Sequence, residues 1–176
     1  FSALALSERM CNQSLIAASC NGIATDYMRT GDLKKSRTYY VRALAIYEQI
    51  HDTINIGDQY YKLGSLDVDE GQMDLAREKY NFSVAIFKQQ NHYPGLADVY
   101  NGFAAIFYSQ QNLDSVAWYA EQSLKYYRLA GNTDAESFMY INLGALFNAQ
   151  KNHPKAIQYV RRGIELADSS GLINQL

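Results

Sequence analysis

A strict 40-residue period constrains this chain more than any other feature. Leu63-Gly64, Phe103-Ala104 and Leu143-Gly144 recur at that spacing, with Ile23-Ala24 one period earlier. Each pair is followed by a turn that interrupts a helical pattern: Gly31-Asp32-Leu33, Gly71-Gln72-Met73, Gln111-Asn112-Leu113 and Lys151-Asn152-His153. Beyond the turn comes a compact residue (Ser36, Ala76, Val116, Ala156), then a uniformly small one (Ala43, Ser83, Ser123, Gly163). Two closely packed helices need a residue without bulk where their axes approach, so each period predicts a helical hairpin. Larger residues flank the small columns. Tyr60, Tyr100 and Tyr140 in the first helix, and Leu44, Val84, Leu124 and Ile164 in the second, are expected to bury against the neighbouring hairpin.

Leu63, Gly64, Gly71, Ala76, Tyr80 and Ser83 make the second copy the clearest, and Ala24, Tyr27, Gly31, Tyr40 and Ala43 repeat its pattern in the first. This set resembles the tetratricopeptide repeat family across nearly the whole chain. There are local departures. Asp67 stands where an aromatic is usual, Ala120 and Val160 where a tyrosine is common, and the closing proline is missing from every copy. The resemblance implies an all-α, right-handed solenoid of antiparallel hairpins, one domain over 1–176. Full repeats are expected at 11–50, 51–90, 91–130 and 131–170, with partial ones at 1–10 and 171–176. The period exceeds the family's usual 34 residues by six, which adds about 9 Å of helix to each hairpin. Long hairpins of this sort are similar to those of bacterial regulatory and peptide-sensing members, and of animal scaffold proteins that orient the spindle. Ala3-Leu4 and Gly171-Leu172 fit neighbouring repeats, so a fragment of a longer array is expected, with Ile157, Val160 and Ile164 facing whatever follows.

Charge and composition narrow the partners. The chain has 16 basic and 18 acidic residues, spread evenly, which gives no basic stripe for phosphates and no polybasic patch for lipid. Neither nucleic acid nor membrane is an expected partner of this segment. No apolar run approaches the roughly 18 residues of a membrane span, and Phe1 to Met10 lack the basic flank of a secretory signal. A soluble segment is expected, cytoplasmic ahead of periplasmic. Cys11 and Cys20, about 13 Å apart along a helix, are too distant to bridge. His51, His92 and His153 are scattered, so no metal or other cofactor is expected. A Gly-rich phosphate loop, a nucleophile elbow and a helical His-Glu pairing are all missing, and no enzymatic activity is expected. The acidic cluster of Asp67, Asp69 and Glu70 precedes a turn and reads as solvated surface.

The resemblance also implies a ligand face, lined by the first helix of each repeat. From its columns the candidate peptide-binding residues are Asn21, Met28, Asp58, Tyr61, Asp98, Asn101, Tyr108 and Asn148. The asparagines can give and accept hydrogen bonds with an extended backbone, the aspartates favour a basic side chain or amino terminus, and the tyrosines add apolar contact. The competing reading is that the asparagines solvate the face and the aspartates complement helix dipoles. Family members that hold chaperone tails clamp carboxylates with lysine, arginine and asparagine; the matching columns here lack the bases, with only Arg29 and Lys62 close by, so that ligand is not expected. The expected function is a non-enzymatic protein- or peptide-binding scaffold, the interaction or sensing part of a larger bacterial regulatory protein. Self-association through exposed ends is one alternative. Docking for an enzyme whose catalytic part lies outside this chain is another.

Overall fold

Seven residues spaced twenty apart, from Gly31 to Lys151, adopt the left-handed backbone conformation and cut the chain into helices. Their φ values run from 51° at Asn91 to 81° at Gly31. The structure, a computed structural model, describes residues 12–169. Cys11, Ala3-Leu4, Gly171-Leu172 and the partial repeats expected at 1–10 and 171–176 lie outside them. The described residues form eight helices: α1 (Gln13–Arg29), α2 (Leu33–Gln49), α3 (Thr53–Asp69), α4 (Met73–Gln89), α5 (Tyr93–Ser109), α6 (Leu113–Ala130), α7 (Thr133–Ala149) and α8 (His153–Ser169).

At five of the seven left-handed positions the next residue serves two helices. The N–H of Asp32 donates to the Tyr27 carbonyl at 2.9 Å, closing α1, while its carboxylate accepts from the Lys35 N–H and caps α2. Asp52, Asn112, Asn132 and Asn152 repeat both bonds at their junctions. Gln72 makes the first bond but gives α4 no side-chain cap.

The helices pair in sequence order into four hairpins, and the chain divides into two compact units, one ending at Gln90 and the other beginning at Asn91. In the first unit α2 packs on α3; in the second α6 packs on α7. The compact and small columns lie where the axes meet: Ser36, Ala43, Ala76, Ser83, Val116, Ser123, Ala156 and Gly163 are all buried. Their hydroxyls are satisfied by backbone. Ser83 donates to the Gly57 carbonyl and Ser123 to the Ala97 carbonyl, each at 2.8 Å. In the last hairpin the roles exchange, and Ser137 on the first helix donates to Gly163 on the second at the same distance.

Three expectations need correction. Asp67 is fully buried, where solvent exposure was expected. It accepts from Arg37 on α2 at 2.7 Å and from Lys79 on α4 at 2.5 Å, and Arg37 also holds Glu70 at 2.9 Å. An acidic residue in place of the usual aromatic is accommodated because two cations from flanking helices converge on it. Tyr60, Tyr100 and Tyr140 are half-buried, each against another ring, Phe82, Tyr126 and Tyr159 respectively. Ile164, expected from its column to be buried and from its place in the last hairpin to face whatever follows, is 46% exposed, because among the described residues no helix packs on that side of α8. No described helix is long and apolar enough to cross a membrane.

Candidate peptide-binding cleft

Helical spacing sets one face of each first helix in line. Residues four, seven and eleven apart stack along a single stripe. In the first unit that stripe carries Asn21, Thr25 and Met28 on α1 and Asp58, Tyr61 and Ser65 on α3. Lys62 ties the two helices together, donating to Asn21 Oδ1 at 2.9 Å and to Asp58 Oδ2 at 2.6 Å. The charge on Asp58 is therefore met from within its own helix, which weakens the expectation that it draws a basic group from a ligand. Beneath this bridge lies Gln59, fully buried, whose Oε1 has no hydrogen-bond partner among the described residues.

Two tyrosines from second helices fill the space below the stripe. Tyr40 on α2 and Tyr80 on α4 are buried, and each hydroxyl meets one from the first helix: Thr25 to Tyr40 at 3.0 Å, Ser65 to Tyr80 at 3.2 Å. Burial pushes both phenols up, Tyr80 to about 12, while the partner hydroxyl pulls the other way, so both remain neutral at physiological pH. Met28 sits with its sulfur 4.0 Å from the Tyr40 hydroxyl, and Tyr61 stacks on Tyr80 with ring centres 5.7 Å apart. The first unit's stripe is thus filled from below.

The second unit is built on the same plan with the filling removed. Ala105 and Ala120 occupy the places of the hydroxyl and the tyrosine, and a cleft of about 550 Å³ opens between α5 and α7 above α6. Asn101, Ala105 and Tyr108 line it from α5, Val116 and Ala120 from α6, and Asn142 from α7. Tyr108 is 68% exposed. Asn142 stands 41 residues from Asn101, the separation that joins Lys62 to Asn21 in the first unit, but here two neutral amides border an open cleft.

The candidate residues therefore divide. Asn101 and Tyr108 share the cleft. Asp98, one turn before Asn101, accepts from the Tyr127 hydroxyl at 2.5 Å. Asn148 bonds the His153 ring at 3.0 Å and borders a different hollow of about 600 Å³, lined by α7 and α8, with Ile141, Ile157 and Ile164. Sequence reasoning missed Asn142, which lies one column beside the stripe. The paired loss of tyrosine and hydroxyl at Ala120 and Ala105 is the signal that marks the cleft.

Known proteins with this architecture bear on the reading. The tetratricopeptide repeat pattern matches residues 16–53. Among solved structures, the chain is similar to BtubC (BKLC) from P. vanneervenii, with a TM-score of 0.72 and 20% identity over 91% of this chain and 66% of that one. It is similar to the apo form of RapI, with a TM-score of 0.70 and 17% identity over 95% and 59%. Aspartyl phosphate phosphatase F from Bacillus subtilis follows at 0.64 and 15%, over 88% and 49%. The chain thus spans about half to two thirds of the length of these structures. No curated protein matches it in sequence.

Proposed function

We propose that this chain, a tetratricopeptide-repeat protein, binds an extended polypeptide along the first helices of its hairpins and catalyses no reaction itself. The observation that carries the reading is the cleft between α5 and α7, bordered by the Asn101 and Asn142 amides. Amide side chains suit this task because each can donate to a peptide carbonyl and accept from a peptide N–H without reading the side chain between them. The cleft volume lies within the range of ordinary ligand sites. The long hairpins and the likeness in fold to RapI and aspartyl phosphate phosphatase F support a place in a larger bacterial regulatory protein, where peptide capture would act as the sensing step.

The test is retention of a pooled synthetic decapeptide library by the immobilised chain, read by mass spectrometry. Asn101→Ala combined with Asn142→Ala leaves the fold intact, since both side chains are exposed, and removes the retained peptides. An unchanged set retained by the double variant would remove the groove assignment.

A second reading, self-association, is favoured by the hollow beside α8, where Ile157 is 61% exposed and Ile141 and Ile164 flank it. It predicts a mass in sedimentation equilibrium that rises with concentration and falls back on Ile157→Lys. A constant monomer mass rules it out.

A further inference from the structure

We infer that the cleft of the second unit is a selective pocket for one bulky, uncharged side chain of the bound peptide, aromatic or branched aliphatic. The inference rests on the peptide-binding reading above and names what the ligand must carry.

The argument comes from the chain's own repeats. In the first unit the space beneath the first-helix stripe is taken by the Tyr40 ring, which is buried and lies about under the Lys62 ammonium, 6.0 Å from the ring centre. The equivalent of Tyr40 eighty residues on is Ala120, and the equivalent of Thr25 is Ala105. Both members of the hydroxyl pair are lost together, so no polar atom is stranded by the exchange; what remains is an apolar space open to the ligand face. The chain thus shows in one unit what such a space holds, and in the other leaves it for an outside group.

Charge fixes the class of that group. Among the described residues no Asp, Glu, Lys or Arg lines the cleft; its floor is Val116, Ala120 and Leu143, and its walls carry alanines and the two amides. An ionic side chain entering here would lose its hydration with nothing to replace it, whereas an apolar one gains by the exclusion of water. Lys62, which closes the corresponding place in the first unit by bridging Asn21 and Asp58, is replaced by Asn142. A neutral amide there leaves the entrance open and offers the peptide backbone a donor and an acceptor on the side facing Asn101. One residue of the ligand is therefore read by its side chain while its neighbours are held by their backbone.

Selection of random decapeptides displayed on phage against the 176-residue chain tests this. The enriched peptides are expected to share Phe, Tyr, Leu or Ile at one position. In synthetic copies, replacing that residue by Ala weakens binding about 10- to 100-fold, the effect of withdrawing one large apolar side chain from a buried site. Ala105→Thr with Ala120→Tyr rebuilds the filling of the first hairpin, where Ala24, Thr25 and Tyr40 coexist, and is expected to cause a similar loss for the same peptides while helix content is kept. Enriched peptides with no shared apolar residue, or Ala copies that bind as well as their parents, overturn the pocket and leave the peptide-binding reading standing. A selection that enriches nothing overturns both. Should the double variant fail to fold, the Ala copies alone decide.

Discussion

The Tyr80 hydroxyl lies 3.2 Å from that of Ser65, a contact between two helices of one hairpin that Tyr40 and Thr25 repeat at 3.0 Å. The pair fills the interior of both hairpins of the first unit, and both members are absent from the second, where Ala105 and Ala120, then Ala145 and Val160, take their places. One substitution pattern therefore separates a hairpin whose interior is filled by its own residues from one with a space on its ligand face. Gly64 belongs to the same device, because a Cβ there would stand 2.7 Å from the Tyr80 ring.

Removing the Tyr80 ring empties a buried site that its neighbours cannot refill. Tyr80→Ala is expected to cost about 3–5 kcal/mol, whereas Tyr80→Phe keeps the ring and costs about 1 kcal/mol. The milder value follows because Ser65 retains a second bond, to the Tyr61 carbonyl at 3.2 Å. Urea unfolding measures both. Equal stability of the two variants would show that the ring does not fill the hairpin.

Alkaline pH should act through the same group. Burial holds the phenols of Tyr80 and Tyr159 up at about 12, and for Tyr159 the Glu121 carboxylate adds to it. An unfolded tyrosine titrates near 10. The unfolded chain gives up these protons first, so the stability contribution is complete below about pH 10 and is lost as the pH rises towards 12. The melting temperature should drop across that window, and Tyr80→Phe with Tyr159→Phe should flatten the drop. A profile that falls equally in the double variant rejects the assignment.

Asp67 gives a third prediction. Its carboxylate is fully buried between Arg37 and Lys79, which are only 30% and 23% exposed. Asp67→Asn removes the charge both cations share and is expected to cost about 3 kcal/mol, the low end for a broken buried pair because both cations retain some solvent. The loss should persist in 1 M salt, since a buried pair is screened far less than a surface one. Thermal unfolding at low and high salt reports it; a difference that vanishes in salt would mean the contact is a surface one.

The fold was legible because close packing permits few residues where helix axes approach. Small residues such as Ala43, Ser83, Ser123 and Gly163 must recur at each crossing, and a fixed helix length makes that recurrence periodic. The site was legible only in part, because its shape depends on pairs the period does not display. Ala105 and Ala120 are 15 residues apart on different helices, and Lys62 reaches Asn21 across 41. Asp67 was misread for the same reason: its cations come from α2 and α4, 30 and 12 residues away, and nothing beside it in the chain announces them. A stripe of residues on one helix can be read from spacing, but what stands beneath that stripe is decided by another helix.

The turns offer a test in which two opposite substitutions must give opposite signs. Gln111 and Lys151 adopt φ values of 58° and 61°, a conformation in which a side chain crowds its own backbone, while Gly31, Gly71 and Gly131 meet the same demand without a Cβ. Gln111→Gly and Lys151→Gly should each stabilise by about 0.5–1 kcal/mol, the relief of strain less the added freedom of the unfolded chain. Gly71→Ala should destabilise by about 1 kcal/mol or more, although open space surrounds it and no Cβ clash contributes. Asn91 adopts 51° and asparagine tolerates this region well, so Asn91→Gly should change little. Chemical unfolding of the variants measures all of these, and a Gly71→Ala variant as stable as the parent would show that left-handed strain is not what sets the cost of these turns.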